Sequence, residues 1–316
     1  MRIVSSAKIS EKHQEVFRKA YPTIDFGFYA ALEEIARPEN VDVLLTYGED
    51  LGEASLDRFV KLRWIQVLSS GVDRLPHDAL ARRGTIVTNV RGIHAVPMSE
   101  YVVGVLLTHV RRLPRFWELK RARVWDRSVR IEELSGKTVL IVGAGAVGRA
   151  IAERLLPFGV RILGVNTDGR PVYAFERMYP ITALDEALAE ADFAVVVLPL
   201  TPETRGLFDA RRFAAMKPGA VFVNVGRGEV VDEAALVAAL EQGVLSAAYL
   251  DVFQAEPLPP DHPLWTMPNV EITPHMSGRS PYYMSRALEI FRHNLDRYLA
   301  GEVDRMINPV DLRRRY

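Results

Sequence analysis

Short apolar runs alternate with amphipathic stretches along most of the chain. Runs at Arg2–Ser5, Val41–Thr46, Trp64–Leu68 and Thr85–Thr88 predict strands, and the patterns at Glu11–Ala20 and Ala79–Arg83 predict helices. A longer helical segment follows from Met98 to Arg121. Ser99 or a nearby residue is a candidate start, and Pro114 should kink the helix or end its first part. A second alternating series then begins. Its strands are predicted at Val139–Val142, Val160–Val165, Phe193–Leu198, Ala220–Val225, Ser246–Asp251 and Val270–Thr273, with helices at Arg149–Leu156, Leu184–Glu190, Asp209–Met216 and Asp232–Gln242. One more helix, Tyr282–Ala300, cannot fold alone with its short tail and is expected to return to the first domain. Such alternation implies an α/β fold with parallel sheets covered by helices on both faces.

The strand Val139–Val142 runs straight into Gly143-Ala144-Gly145-Ala146-Val147-Gly148 and then into a helical pattern. Gly143 permits a tight turn, Gly145 lets backbone approach a pyrophosphate, and Gly148 lets helix pack on strand. The helix start offers free N–H groups and a positive dipole end. A dinucleotide fingerprint normally follows the first strand of its domain, so a separate domain must precede this one. Two doubly wound parallel-sheet domains are therefore predicted, a Rossmann cofactor domain over residues 98–280 inserted in a substrate domain formed by 1–97 plus 281–316.

Parallel strands all end at one sheet edge, where ligands bind. Arg227 follows Ala220–Val225, Glu256 follows Ser246–Asp251, and His275 follows Val270–Thr273. The topology thus places all three on the edge that carries the glycine loop. Guanidinium grips a carboxylate with two hydrogen bonds. Imidazole exchanges one proton near neutral pH, and a neighbouring carboxylate favours its charged form. With a nicotinamide supplying hydride, these groups can reduce a 2-keto acid.

Composition narrows the alternatives. Lys plus Arg equals Asp plus Glu, 40 each among 316 residues, so no net field draws the chain to nucleic acid or an anionic membrane. No cysteine is present, which excludes disulfides and thiolate chemistry and fits a cytoplasmic protein. No apolar run approaches bilayer length. GxSxG, HExxH and GxxxxGK[ST] are all absent, the other histidines lack ligand spacing, and no metal is expected. Trp64, Trp117, Trp125 and Trp265 are read as packing residues.

Five segments in this order resemble the D-isomer-specific 2-hydroxyacid dehydrogenase family over nearly the whole chain. They are Gly143–Gly148, Leu198-Pro199-Leu200-Thr201-Pro202-Glu203-Thr204-Arg205, Val223-Asn224-Val225-Gly226-Arg227-Gly228-Glu229-Val230-Val231-Asp232-Glu233, Leu250-Asp251-Val252-Phe253-Gln254-Ala255-Glu256-Pro257-Leu258-Pro259 and Thr273-Pro274-His275-Met276-Ser277-Gly278. The resemblance implies a flavodoxin-like first domain and an NAD(P)-dependent oxidoreductase. It makes Arg227 the substrate arginine and Glu256 and His275 an acid/base pair. It also makes Ser70-Gly71-Val72-Asp73 a loop whose N–H groups bind the substrate carboxylate. Cofactor contacts are implied at Ala146, Val147, Leu198, Pro199, Val225, Gly226, Asp251 and Gly278. Members are typically homodimers joined through the helix after Met98, whose Arg111, Arg112, Arg115, Lys120, Arg121 and Arg123 otherwise suggest a solvated face.

One departure bears on the cofactor. NAD-preferring members place an acid at the end of the second cofactor-domain strand, whereas here that place falls on Asn166, with Thr167 next and Arg170 within reach. This favours NADP(H) over NAD(H), with Asp168 the counter-argument. Tyr47 and Met276 are expected to line the substrate pocket. Small acids of the glyoxylate or hydroxypyruvate kind fit the closest likeness, with pyruvate and bulkier keto acids also open. The site is expected in the crevice between the domains, with hinges near Arg91–Ser99 and Ser277–Tyr283. The alternatives are a phosphite-type dehydrogenase on the same scaffold and a dinucleotide-sensing corepressor-like binding protein.

Overall fold

A computed structural model describes residues 1–72 and 74–313. The chain divides into two units, one formed by Met1–Ile93 with the segment from Ser280 onward, the other by His94–Arg279. The first unit opens with β1 (Arg2–Ser5), α1 (Glu11–Ala20), β2 (Asp25–Phe28), β3 (Val43–Thr46), α2 (Glu53–Leu56), β4 (Trp64–Val67), α3 (His77–Arg83) and β5 (Ile86–Thr88). Its sheet has the order β2-β1-β3-β4-β5, and every pairing is parallel. That is the flavodoxin order. Strand β2 has no counterpart among the predicted strands. Its Asp25 and Gly27 are poor strand formers, and as an edge strand it needs a partner on one side only.

The second unit begins with α4 (Ala95–Val110) and α5 (Leu113–Ala122), where a helical segment kinked or divided near Pro114 was expected. Ser99 does not start it. Ser99 lies a turn inside α4, fully buried, and its hydroxyl donates to the carbonyls of Ala95 and Val96 at 2.5 and 2.8 Å. The break comes at Arg112, whose φ of 53° is left-handed. Pro114 falls in the first turn of α5, where a missing N–H costs no helical bond.

There follow β6 (Thr138–Val142), α6 (Ala146–Leu155), β7 (Arg161–Asn166), β8 (Arg177–Pro180), α7 (Leu184–Glu190), β9 (Phe193–Val196), α8 (Ala210–Ala215), β10 (Ala220–Asn224), α9 (Glu233–Glu241), β11 (Leu245–Leu250) and β12 (Val270–Ile272). The seven strands are parallel in the order β12-β11-β10-β9-β6-β7-β8, the Rossmann order extended by one strand. Both faces are buried. Leu140 and Val142 of β6 pack with Leu184, Leu188, Phe213 and Leu236, while Val139 and Ile141 pack with Val102, Leu106, Ile151 and Leu155. Two buried faces explain why such strands read as unbroken apolar runs.

The chain then re-enters the first unit as α10 (Tyr283–Leu299), which buries Ala287, Leu288, Phe291 and Leu295 against Ile3, Val43 and Trp64. A buried polar chain pins it there. Trp64 Nε1 donates to Thr88 Oγ1 (2.8 Å), Thr88 Oγ1 donates to Gln66 Oε1 (2.9 Å), and Asn294 Nδ2 donates to that same oxygen (3.3 Å). Of the four tryptophans, only Trp64 is a core residue. Trp117, Trp125 and Trp265 are exposed, Trp125 by 92%.

Candidate active site

The glycine loop connects β6 to α6. Gly143 has φ +111°, and a Cβ there would sit 2.6 Å from the Val197 carbonyl oxygen. A Cβ on Gly148 would sit 2.1 Å from the Gly143 oxygen, so neither position accepts a side chain. Gly145, by contrast, faces open space and caps the helix. Among the described residues the N–H groups of Gly145, Ala146 and Val147 have no acceptor. Free donors, a helix start and room for close approach fit a pyrophosphate. The next loops continue this surface. Leu198 and Pro199 follow β9, Val225 and Gly226 follow β10, and the Leu198 carbonyl lies where a Cβ on Gly226 would be, at 2.7 Å.

Asn166 ends β7, the place where an acid would receive a ribose hydroxyl. Its Oδ1 accepts from Gly169 N–H (2.6 Å), and its Nδ2 donates to the Arg170 carbonyl (2.9 Å). Thr167 is exposed beside it. The Arg170 guanidinium pairs with Asp168 at 3.3 Å, so the one acid near this turn is already matched by a cation.

Arg227, Glu256 and His275 follow the neighbouring strands β10, β11 and β12. His275 Nδ1 lies 2.8 Å from Glu256 Oε2, and Glu256 Oε1 accepts from Phe253 N–H at 3.1 Å. A carboxylate accepts only, so Nδ1 carries the proton of that bond and Nε2 is the other exchanging position. Both side chains are partly exposed. His275 has φ 52°, which a non-glycine residue adopts only when its surroundings enforce it. Its N–H donates to the Asp251 and Thr273 carbonyls at 2.9 and 3.0 Å. The carboxylate of Asp251, wholly buried, completes the clamp. It accepts from Thr273 Oγ1 (2.5 Å), Met276 N–H (2.7 Å) and Ser277 N–H (2.9 Å). Its side chain thus ties the His275 loop to the end of β11. Asn224 shapes the Arg227 turn in a similar way, accepting from Gly226 N–H and donating to the Arg227 carbonyl, both at 3.1 Å. Arg227 Nη1 reaches the Gly226 carbonyl at 2.9 Å.

His94 joins this group, although nothing in the sequence pattern singled it out. It precedes α4, and its Nδ1 lies 3.1 Å from the Gly278 carbonyl oxygen, which accepts its proton. Burial holds it toward the neutral form, opposed by the Gly278 bond and reinforced by the charges of Arg227 and His275. Pro97 was the available signal, since a first-turn proline places the helix start near residue 95.

In the first unit, Ser70, Gly71 and Val72 form the loop after β4, and their N–H groups have no acceptor among the described residues. Asn89 Nδ2 donates to the Ser70 carbonyl at 3.0 Å. Asp73 lies outside the described residues. Tyr47 follows β3 and is partly exposed, with its hydroxyl pKa raised by burial. Met276 is likewise exposed. Among the described residues no group of three or more His, Asp or Glu side chains could hold a metal ion, and no helix is long and apolar enough to cross a membrane.

Comparison with known proteins places the chain in a family. The sequence profile described as D-isomer specific 2-hydroxyacid dehydrogenase, NAD binding domain, matches residues 103–277. Glyoxylate/hydroxypyruvate reductase B of Escherichia fergusonii is 37% identical over 277 residues, 85% of each chain. A solved D-isomer specific 2-hydroxyacid dehydrogenase family protein from Aeromonas salmonicida is 39% identical over 98% of each chain, with a TM-score of 0.85. A second solved dehydrogenase of this kind, from Xanthobacter autotrophicus in complex with NADPH and MES, is 33% identical over 100% of this chain and 99% of that one, with a TM-score of 0.85. The chain belongs to the D-isomer-specific 2-hydroxyacid dehydrogenase family and is an NAD(P)-dependent 2-keto acid reductase.

Proposed function

We propose that this protein reduces small 2-keto acids of the glyoxylate and hydroxypyruvate class to D-2-hydroxy acids, with NADPH preferred to NADH. The 2.8 Å bond between His275 and Glu256, on loops after adjacent strands, is the observation that carries the reading. Arg227 holds the substrate carboxylate. A bound reduced nicotinamide supplies the hydride to C2. His275 Nε2 delivers a proton to the substrate oxygen while Glu256 steadies the imidazole and its charge. Gly145, Ala146 and Val147 cradle the pyrophosphate, and Leu198, Pro199, Val225, Gly226 and Gly278 line the remaining cofactor surface. Ser70, Gly71 and Val72 offer N–H groups suited to a carboxylate, and they stand with Tyr47 as substrate contacts of the first unit.

The NADPH preference rests on the neutral Asn166 at the strand end, the neighbouring Thr167, and Arg170. An acid at position 166 would repel a 2′-phosphate. The NADPH bound in the Xanthobacter relative is in keeping with this. A homodimer in the cytoplasm completes the proposal. Leu113, Phe116, Trp117, Val124 and Trp125, on and after α5, are exposed apolar side chains of the kind that partner subunits cover. Steady-state rates on a panel of 2-keto acids, with NADPH and NADH in separate series, test the activity and the preference together. Absence of turnover with every acid would remove the first, and a clear NADH preference the second.

A further inference from the structure

Glu256 can serve His275 only if the Phe253–Glu256 loop holds its carboxylate in place. Two successive N–H groups of that loop are held by carboxylates. Phe253 N–H donates to Glu256 itself, and Gln254 N–H donates to Glu233 Oε1 at 2.7 Å. Glu233 is the first residue of α9, and its second oxygen lies 3.3 Å from His262 Nε2. His262 Nδ1 in turn accepts from Leu264 N–H at 3.4 Å, which fixes the ring beside Glu233. Both side chains are largely buried, with 14% and 20% exposed for Glu233 and His262. The Gln254 side chain adds a further tie, Nε2 donating to the Val231 carbonyl at 2.6 Å.

We propose that Glu233, held by His262, is a positioning residue of the reaction. It fixes the Phe253–Gln254 peptide from outside the site and thereby sets the Glu256 carboxylate against His275. The proposal rests on the reading of Glu256 and His275 as the acid/base pair. Neither Glu233 nor His262 touches that pair directly. Their influence passes through one backbone segment, so loss of Glu233 lets the loop drift while the glycine loop after β6 keeps its shape.

Three variants test it: Glu233→Ala, Glu233→Gln and His262→Phe, with His275→Ala as reference. Glu233→Ala should lower kcat about ten- to a hundredfold, the penalty of a small misplacement of a reacting group, with NADPH affinity and keto acid KM nearly unchanged. Glu233→Gln keeps an acceptor for Gln254 N–H and should recover most of kcat, with His262→Phe falling between. Wild-type kcat in Glu233→Ala would overturn the proposal. So would equal impairment of the Ala and Gln variants, or loss accompanied by lost NADPH binding. Near-normal turnover in His275→Ala would instead sink the acid/base reading itself.

Discussion

Removal of the Asp251 carboxylate should unfasten the loop that bears His275. The group is wholly buried and accepts from Thr273 Oγ1, Met276 N–H and Ser277 N–H. Hydrogen bonds to a charged acceptor contribute about 1.5–3 kcal/mol each, so three amount to about 5–9 kcal/mol. Keeping the carboxylate out of water costs several kcal/mol, and Asp251→Ala abolishes that cost as well. The net loss is then about 2–4 kcal/mol, or about 5–15 °C in Tm for a domain of this size. Asp251→Asn keeps one accepting oxygen but turns an NH2 toward an N–H donor, and should lose about half as much. Calorimetry gives the stability, and steady-state turnover of the surviving folded fraction gives the chemistry. Turnover should drop further than stability, because the released strand of chain includes His275 with its left-handed φ. If Asp251→Ala melts within about 2 °C of wild type and turns over normally, the clamp does not have the strength derived for it.

Three further outcomes follow from the same geometry. Burial, with the charge of Arg112, lowers the His109 pKa from 6.5 to about 4. Above pH 6.5 the imidazole is neutral in both states; on acidification the unfolded chain takes up a proton that the fold refuses. Stability therefore falls between pH 6.5 and 4, by at most about 3 kcal/mol, and denaturant midpoints at about pH 7 and 5 should differ less in His109→Gln than in wild type. Arg227→Lys should lower kcat/KM for the keto acid about a hundredfold with little change in NADPH affinity, since an ammonium cannot form the paired bonds of a guanidinium; parallel substrate and cofactor titrations check it. Asn166→Asp should shift the kcat/KM ratio toward NADH by about tenfold or more, and an unchanged ratio would show that position 166 does not face the 2′ group.

Much of the second unit was legible because each element carried its own signal. The β6 run, the glycines and the α6 pattern are contiguous, and parallel topology brings Arg227, Glu256 and His275 to one edge from strand order alone. Edge strands β2 and β8 escaped notice because half their hydrogen bonds and half their burial are absent, leaving Asp25, Gly27 and Arg177 room in the sequence. Ser99 misled because a helix-capping residue type can also turn its hydroxyl back on its own helix when buried. The clamp of Asp251 and the brace of Glu233 were hidden for a different reason. Each acts across many residues of sequence on a backbone N–H, and a backbone donor has no residue type to recognise.

The central claim is that His275 delivers the proton in a keto acid reduction. Stopped-flow oxidation of bound NADPH on mixing with glyoxylate, in wild type and in His275→Ala, addresses it most directly. NADPH affinity should be equal in the two proteins and the reduction rate in the variant slower by about 10²–10⁴. A variant that oxidises NADPH at close to the wild-type rate would contradict it.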